Sequence, residues 1–149
     1  MVRYKTNEQA FDDCLADGFI QDREEIDIAK IKSAFSLAKT MLDVASDVKK
    51  GLDKKSPRWS IVYTMHYDGV RDLTDIIARF EKKRIPNHQC LFAWACAHHD
   101  LLEWDFCEEI RTKRNGIHYY GEPAAHDDWK KVEFGMQVAI ASLTKDIEK

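Results

Sequence analysis

Residues Glu109-Ile110-Arg111-Thr112-Lys113-Arg114-Asn115-Gly116-Ile117-His118-Tyr119-Tyr120-Gly121 read as the last turns of a helix. At about 100° per residue, side chains three, four and seven positions apart share one face. Arg111, Arg114, Asn115 and His118 have these spacings. Two guanidinium groups, an amide and an imidazole therefore project the same way. Helical side chains lean toward the N-terminus, which carries His118 back over Arg114 and Asn115. Gly121 suits a left-handed cap, and Pro123 prevents the helix from continuing.

Such a face suits a phosphate. Arginine offers a planar, permanently charged fork to phosphate oxygens. Histidine can take and give a proton near neutral pH. The plainer reading is a solvated face, with Arg111 and Arg114 paired to Glu108 or Glu109 and His118 a partly buried structural residue.

Working outward, the rest of the chain also reads as helix, with almost no strand-like alternation. A short helix begins after Thr6 or Asn7, buries Phe11, Cys14 and Leu15, and stops at Asp17-Gly18. Residues 1–20 form an arm that could dock on the remainder. Asp22, with Glu25 three residues on, resembles a capping box for a long helix. That helix carries the apolar stripe Ala34, Phe35, Ala38, Met41, Leu42, Ala45 and Val48. Ser56-Pro57 reads as an N-cap with proline at the first helical position. A second long helix follows, with Trp59, Val62, Tyr63, His66, Gly69, Leu73, Ile76, Ile77 and Phe80 inward. Pro86 breaks the chain and Asn87 caps a third helix bearing Leu91, Trp94, Ala95 and Leu101. The helix carrying the opening stretch starts near Trp104 or Asp105. The last begins at His126 or Asp127 and buries Trp129, Val132, Met136, Ala139, Leu143 and Ile147. The expected fold is all-α, an up-down four-helix bundle with an extra short N-terminal helix, in one domain over 1–149.

The chain has 149 residues, 44% hydrophobic and 33% charged, with net charge -3. This is not the basic profile of a protein that wraps nucleic acid through many phosphates. RNA contact, if made, should be local to Arg111 and Arg114. No apolar run approaches the ~20 residues needed to cross a membrane. Met1-Val2-Arg3-Tyr4-Lys5 does not lead into an apolar stretch, so no signal peptide is read and a cytoplasmic location is expected.

The four cysteines, 14, 90, 96 and 107, form no CxxC pair and are expected as reduced, buried small hydrophobes. His99, Glu103 and Cys107 lie four apart and could hold zinc on a continuous helix; polar residues at a helix junction are the plainer reading. His66 and His88 fall on or near apolar faces and read as core histidines. Trp59, Trp94, Trp104 and Trp129 are spaced as core rather than as a stacking platform for bases. Gly116 inside the helix costs about 1 kcal/mol against alanine, and reads as room for close approach by the same helix of a second chain.

Arg111 and His118, with six residues between them, together with Tyr120, resemble the signature of the HEPN superfamily, an arginine, four to six residues and a histidine, in its His-x-Tyr form. Tyr67-Asp68-Gly69-Val70-Arg71-Asp72-Leu73-Thr74-Asp75-Ile76-Ile77 and Asn87-His88 are similar to the second and third helices of small HEPN proteins. The likeness covers roughly residues 22 to the C-terminus. Members usually carry Asn, Asp or His after the motif arginine. Here Thr112 follows Arg111 and the Arg-Asn pair is Arg114-Asn115, so either arginine could fill the role.

The resemblance implies a metal-independent endoribonuclease without a cofactor, of the kind that serves as the toxin of a toxin-antitoxin pair. It implies Arg111 and His118 as catalytic residues, with Arg114 and Asn115 holding the phosphate. It also implies a homodimer acting on RNA, and a nucleotidyltransferase antitoxin that adenylylates Tyr120. The alternative it allows is a non-catalytic HEPN module that binds a nucleotide or partners a nucleotidyltransferase.

Overall fold

A computed structural model describes residues 4–149. The first three residues of the N-terminal arm, and with them most of the stretch read for a signal peptide, lie outside the described residues. The fold is an all-α bundle. Its helices are α1 (Asn7–Ala16), α2 (Ile28–Lys49), α3 (Trp59–Phe80), α4 (His88–His98), α5 (Trp104–Tyr120) and α6 (His126–Ile147).

α3 is the centre. Val62, Tyr63, Tyr67, Val70, Leu73, Thr74, Ile76, Ile77 and Ala78 are buried on it, a spread too wide for a helix with one wet face. It packs against α2, α4, α5 and α6. Gly69 lets α2 come close: a Cβ there would collide with the Leu42 side chain. Phe80, expected inward, is 39% exposed at the helix end.

α1 docks on α4. Thr6 and Gln9 form a reciprocal capping box at its start. Trp104 Nε1 donates to the Lys5 carbonyl at 2.7 Å, and Phe11 meets His98 edge-on. A disulfide joins Cys14 to Cys90. This corrects the expectation of four reduced thiols: docking brings together two residues 76 positions apart, a proximity no local spacing reports. Cys96 and Cys107 are free, and Cys107 is buried.

Two helix starts also differ from expectation. Asp22 does not cap α2. It lies in a two-residue strand, β1 (Gln21–Asp22), paired antiparallel with β2 (Lys83–Arg84), and its carboxylate bonds Lys83. α2 instead starts after Asp27, whose side chain accepts from the Lys30 amide at 3.1 Å. Ser56-Pro57 precedes α3 as a turn: Ser56 Oγ accepts from the Arg58 amide, and Trp59 Nε1 donates to the Asp53 carbonyl. Asn87 caps α4 as expected, accepting from the Cys90 amide. α5 ends at Gly121 with φ 64°, the left-handed conformation that glycine adopts without a Cβ clash.

Candidate functional site

The site forms where α3, α4 and α5 meet. The i, i+4 spacing of Tyr67 and Arg71 places both on the α3 face that looks toward α5, with Asp68 and Asp72 beside them. α4 contributes His88 and Gln89 from its first turn. α5 contributes Glu108, Arg111, Arg114 and His118.

Arg111 is gripped by its own helix. Its Nε and Nη2 donate to the two carboxylate oxygens of Glu108 at 2.9 and 3.0 Å. Glu108 is 2% exposed and also accepts from Gln89 Nε2 at 3.1 Å. The fork-to-fork geometry is the strong form of this pairing. The pairing read as the plain alternative is thus present for Arg111.

Arg114 is held differently. It is 8% exposed, and its Cζ lies 5.6 Å from the Tyr67 ring centre and 5.9 Å from that of Tyr119. Its nearest carboxylate is Asp68, with Nε to Oδ1 at 3.8 Å, an ion-pair distance too long for a hydrogen bond. Both atoms are shut off from solvent and without a hydrogen-bond partner among the described residues. Burial pushes the Asp68 carboxyl up from its ordinary value, against the opposing pull of Arg71 and Arg114.

Arg71 completes the set, pairing with Asp72 at 2.9 Å and Asp68 at 3.5 Å. Its Nη1 lies 3.4 Å from His88 Nε2. A guanidinium can only donate, so Nε2 is the accepting nitrogen and the ring proton sits on Nδ1. That proton then points at the Tyr67 hydroxyl oxygen, 3.3 Å away. Burial first, then the charges of Arg71, Arg114 and Arg111, hold His88 down at about 4. At neutral pH it is an uncharged acceptor that fixes Arg71, not a proton source.

His118 is exposed near the end of α5 and stands edge-on to Tyr119, ring centres 5.0 Å apart. Tyr119 and Tyr120 are 67% and 76% exposed, so Tyr120 is no core aromatic. Asn115, between Arg111 and His118 in the chain, is half-buried. Thr112 turns the other way, lining a separate cleft with Tyr63, Glu109 and Lys113. The position after Arg111 therefore looks away from the arginine cluster. Gly116 is buried, but the space beside it is filled from within: a Cβ there would meet Glu122 Oε2 at 2.7 Å.

The structure thus brings Arg111 and Arg114 into one cluster, with His118 at its exposed edge. It adds Tyr67, Asp68, Arg71 and His88, which sequence reasoning did not assign to the site. Their signal was the i, i+4 repeat of polar and aromatic residues on a mostly apolar helix. The zinc arrangement does not form. His99 ends α4 and bonds Glu81, and Glu103 precedes α5, so His99, Glu103 and Cys107 are not on one helix. No group of three possible metal-binding side chains occurs among the described residues. His66 is a core histidine, bonded to the Val62 carbonyl and packed on Trp129.

In comparisons with known protein families, curated proteins and solved structures, nothing matches this chain.

Proposed function

We propose that the protein is a metal-independent endoribonuclease of HEPN type, acting as a homodimer on RNA in the cytoplasm, and the toxin of a toxin-antitoxin pair. The observation that carries this reading is the convergence of Arg71, Arg111 and Arg114 beside an exposed His118. In the proposed reaction the ribose 2′-oxygen attacks phosphorus. The O2′–P bond forms, the P–O5′ bond breaks, and a 2′,3′-cyclic phosphate and a 5′-hydroxyl result. His118 handles one of the two protons, from the 2′-OH or to the O5′. The equivalent histidine of a second copy handles the other, which is why a single-motif chain would need a dimer. Arg114, with Arg111, stabilises the charge growing on the phosphate oxygens, the task a metal performs in other nucleases. Asn115 orients the phosphate.

One observation favours the second reading, a non-catalytic nucleotide-binding or nucleotidyltransferase-partner module: Glu108 already occupies both donors of the Arg111 fork. The deciding experiment is RNA cleavage by the purified protein in EDTA, with His118→Ala as control. Cleavage that persists in EDTA and vanishes in the variant supports the nuclease. No cleavage by the natural protein, or cleavage unchanged in the variant, refutes it and leaves the binding module.

A further inference from the structure

Arg114 keeps 10% of its side-chain surface exposed, while its Nε is shut off from solvent and faces Asp68 at 3.8 Å, so a ligand can meet only the outer part of the guanidinium. The guanidinium is not open on all sides. The buried Tyr67 ring and the exposed Tyr119 ring both lie against it, their centres 5.6 and 5.9 Å from Cζ. Tyr119 is 67% exposed while touching both Arg114 and His118. A large ring left in water beside a cation and a proton carrier has an obvious counterpart in a nucleotide, which joins a flat π-face to an anion. The contact with Arg114 orients the ring in advance, lowering the ordering cost of stacking something on its free face. A base within a duplex has both faces covered by its neighbours. One that is unpaired and unstacked has a face to offer.

We propose that Tyr119 is the stacking platform for one unpaired base of a single-stranded nucleic acid whose phosphate is taken by Arg114. This rests on the RNA reading above and adds to it the residue that would hold one base. Tyr120, just as exposed, has no described contact with an arginine and carries no base.

The test is binding of a short, fluorescently labelled 2′-O-methyl oligoribonucleotide, which lacks the attacking hydroxyl and cannot be cut. Affinities are measured for the natural chain and for Tyr119→Ala, Tyr119→Phe and Tyr120→Ala, against the single strand and its duplex. Tyr119→Ala should weaken single-strand binding roughly 10- to 100-fold, the range of one base stacked on an aromatic ring. Its salt dependence should not change, since stacking releases no counterion. Tyr119→Phe and Tyr120→Ala should bind as the natural chain does, and the duplex should bind weakly to all. Equal affinity of Tyr119→Ala and the natural chain, or duplex binding as tight as single-strand binding, overturns the proposal. Stacking-dependent binding without EDTA-resistant cleavage removes the nuclease reading and keeps the subsite. Cleavage with no effect of Tyr119→Ala on binding does the reverse. Absence of any binding removes both.

Discussion

Arg111 and Arg114 differ by three positions yet face opposite situations. Arg111 neutralises the buried Glu108, so its removal strands a carboxylate in the core. Arg111→Ala should therefore lower stability by about 3 kcal/mol, the lower end of the range for breaking a buried pair, because the Arg111 side chain keeps 21% of its surface exposed. Urea denaturation measures this, and a loss under about 0.5 kcal/mol would show that water reaches Glu108. Loss of activity in that variant must be read alongside its folding. His88 makes a prediction about pH. Its folded value is lowered from 6.5 to about 4, so the unfolded chain binds the proton more readily. Its contribution to stability is fully present above about 6.5 and is lost as pH falls toward 4. His88→Gln should flatten the stability profile in that window; an unchanged slope would show that His88 is freely solvated. Tyr120 is 76% exposed two residues after His118, where a modifying enzyme could reach it for the proposed adenylylation. Co-expression with a neighbouring nucleotidyltransferase should add the mass of AMP to the Tyr119-Tyr120 peptide, and its absence removes that regulation.

At the scale of elements, α3 decides where everything else sits. Gly69 sets the approach of α2, since Leu42 occupies the space where a Cβ would be. Gly69→Ala should cost about 1–3 kcal/mol, the usual penalty of overpacking, read as a lower thermal midpoint. An unchanged midpoint would mean that Leu42 moves aside freely. α1 is tied to α4 by Cys14–Cys90, next to the α4 turn that carries His88 and Gln89. Closing a loop of 76 residues is worth about 4 kcal/mol in chain entropy. Stability measured with and without a strong reductant should differ by an amount of this order, while Cys14→Ser should abolish the difference.

For the whole molecule, no described helix is long and apolar enough to cross a membrane. A disulfide persists in oxidising surroundings and is rare in the cytosol. Alkylation of protein quenched inside cells therefore tests the proposed cytoplasmic location. Four alkylated cysteines would place the protein in a reducing compartment, and two would place it elsewhere. The homodimer has lost one of its supports, because Glu122 of the same chain fills the space beside Gly116. It stands on the need for a second histidine at the scissile phosphate. Light scattering at micromolar concentration should give twice the 17.4 kDa chain mass; a monomer that still cleaves RNA would refute the two-copy mechanism.

Helical period, capping residues and breakers act over a few positions, so they were readable directly. Thr6, Asn87 and Gly121 begin or end helices where their chemistry says they should, and the shared face of Arg111, Arg114 and His118 follows from turn geometry alone. Sequence by itself therefore determined the all-α class, most helix bounds and the residues of the α5 face. What a side chain does after the helices pack depends on partners distant in the chain. Asp22 looked like a cap, but β1 pairs with β2 and gives it Lys83 instead. Cys14 looked like a small hydrophobe until α1 docking set it against Cys90. His88 looked like core until α3 supplied Arg71 and Tyr67. Only the tertiary structure decided that Glu108 holds Arg111 while Arg114 stays buried without a hydrogen bond at Nε, because burial and pairing are properties of the packed interface between helices, not of the spacing along one of them.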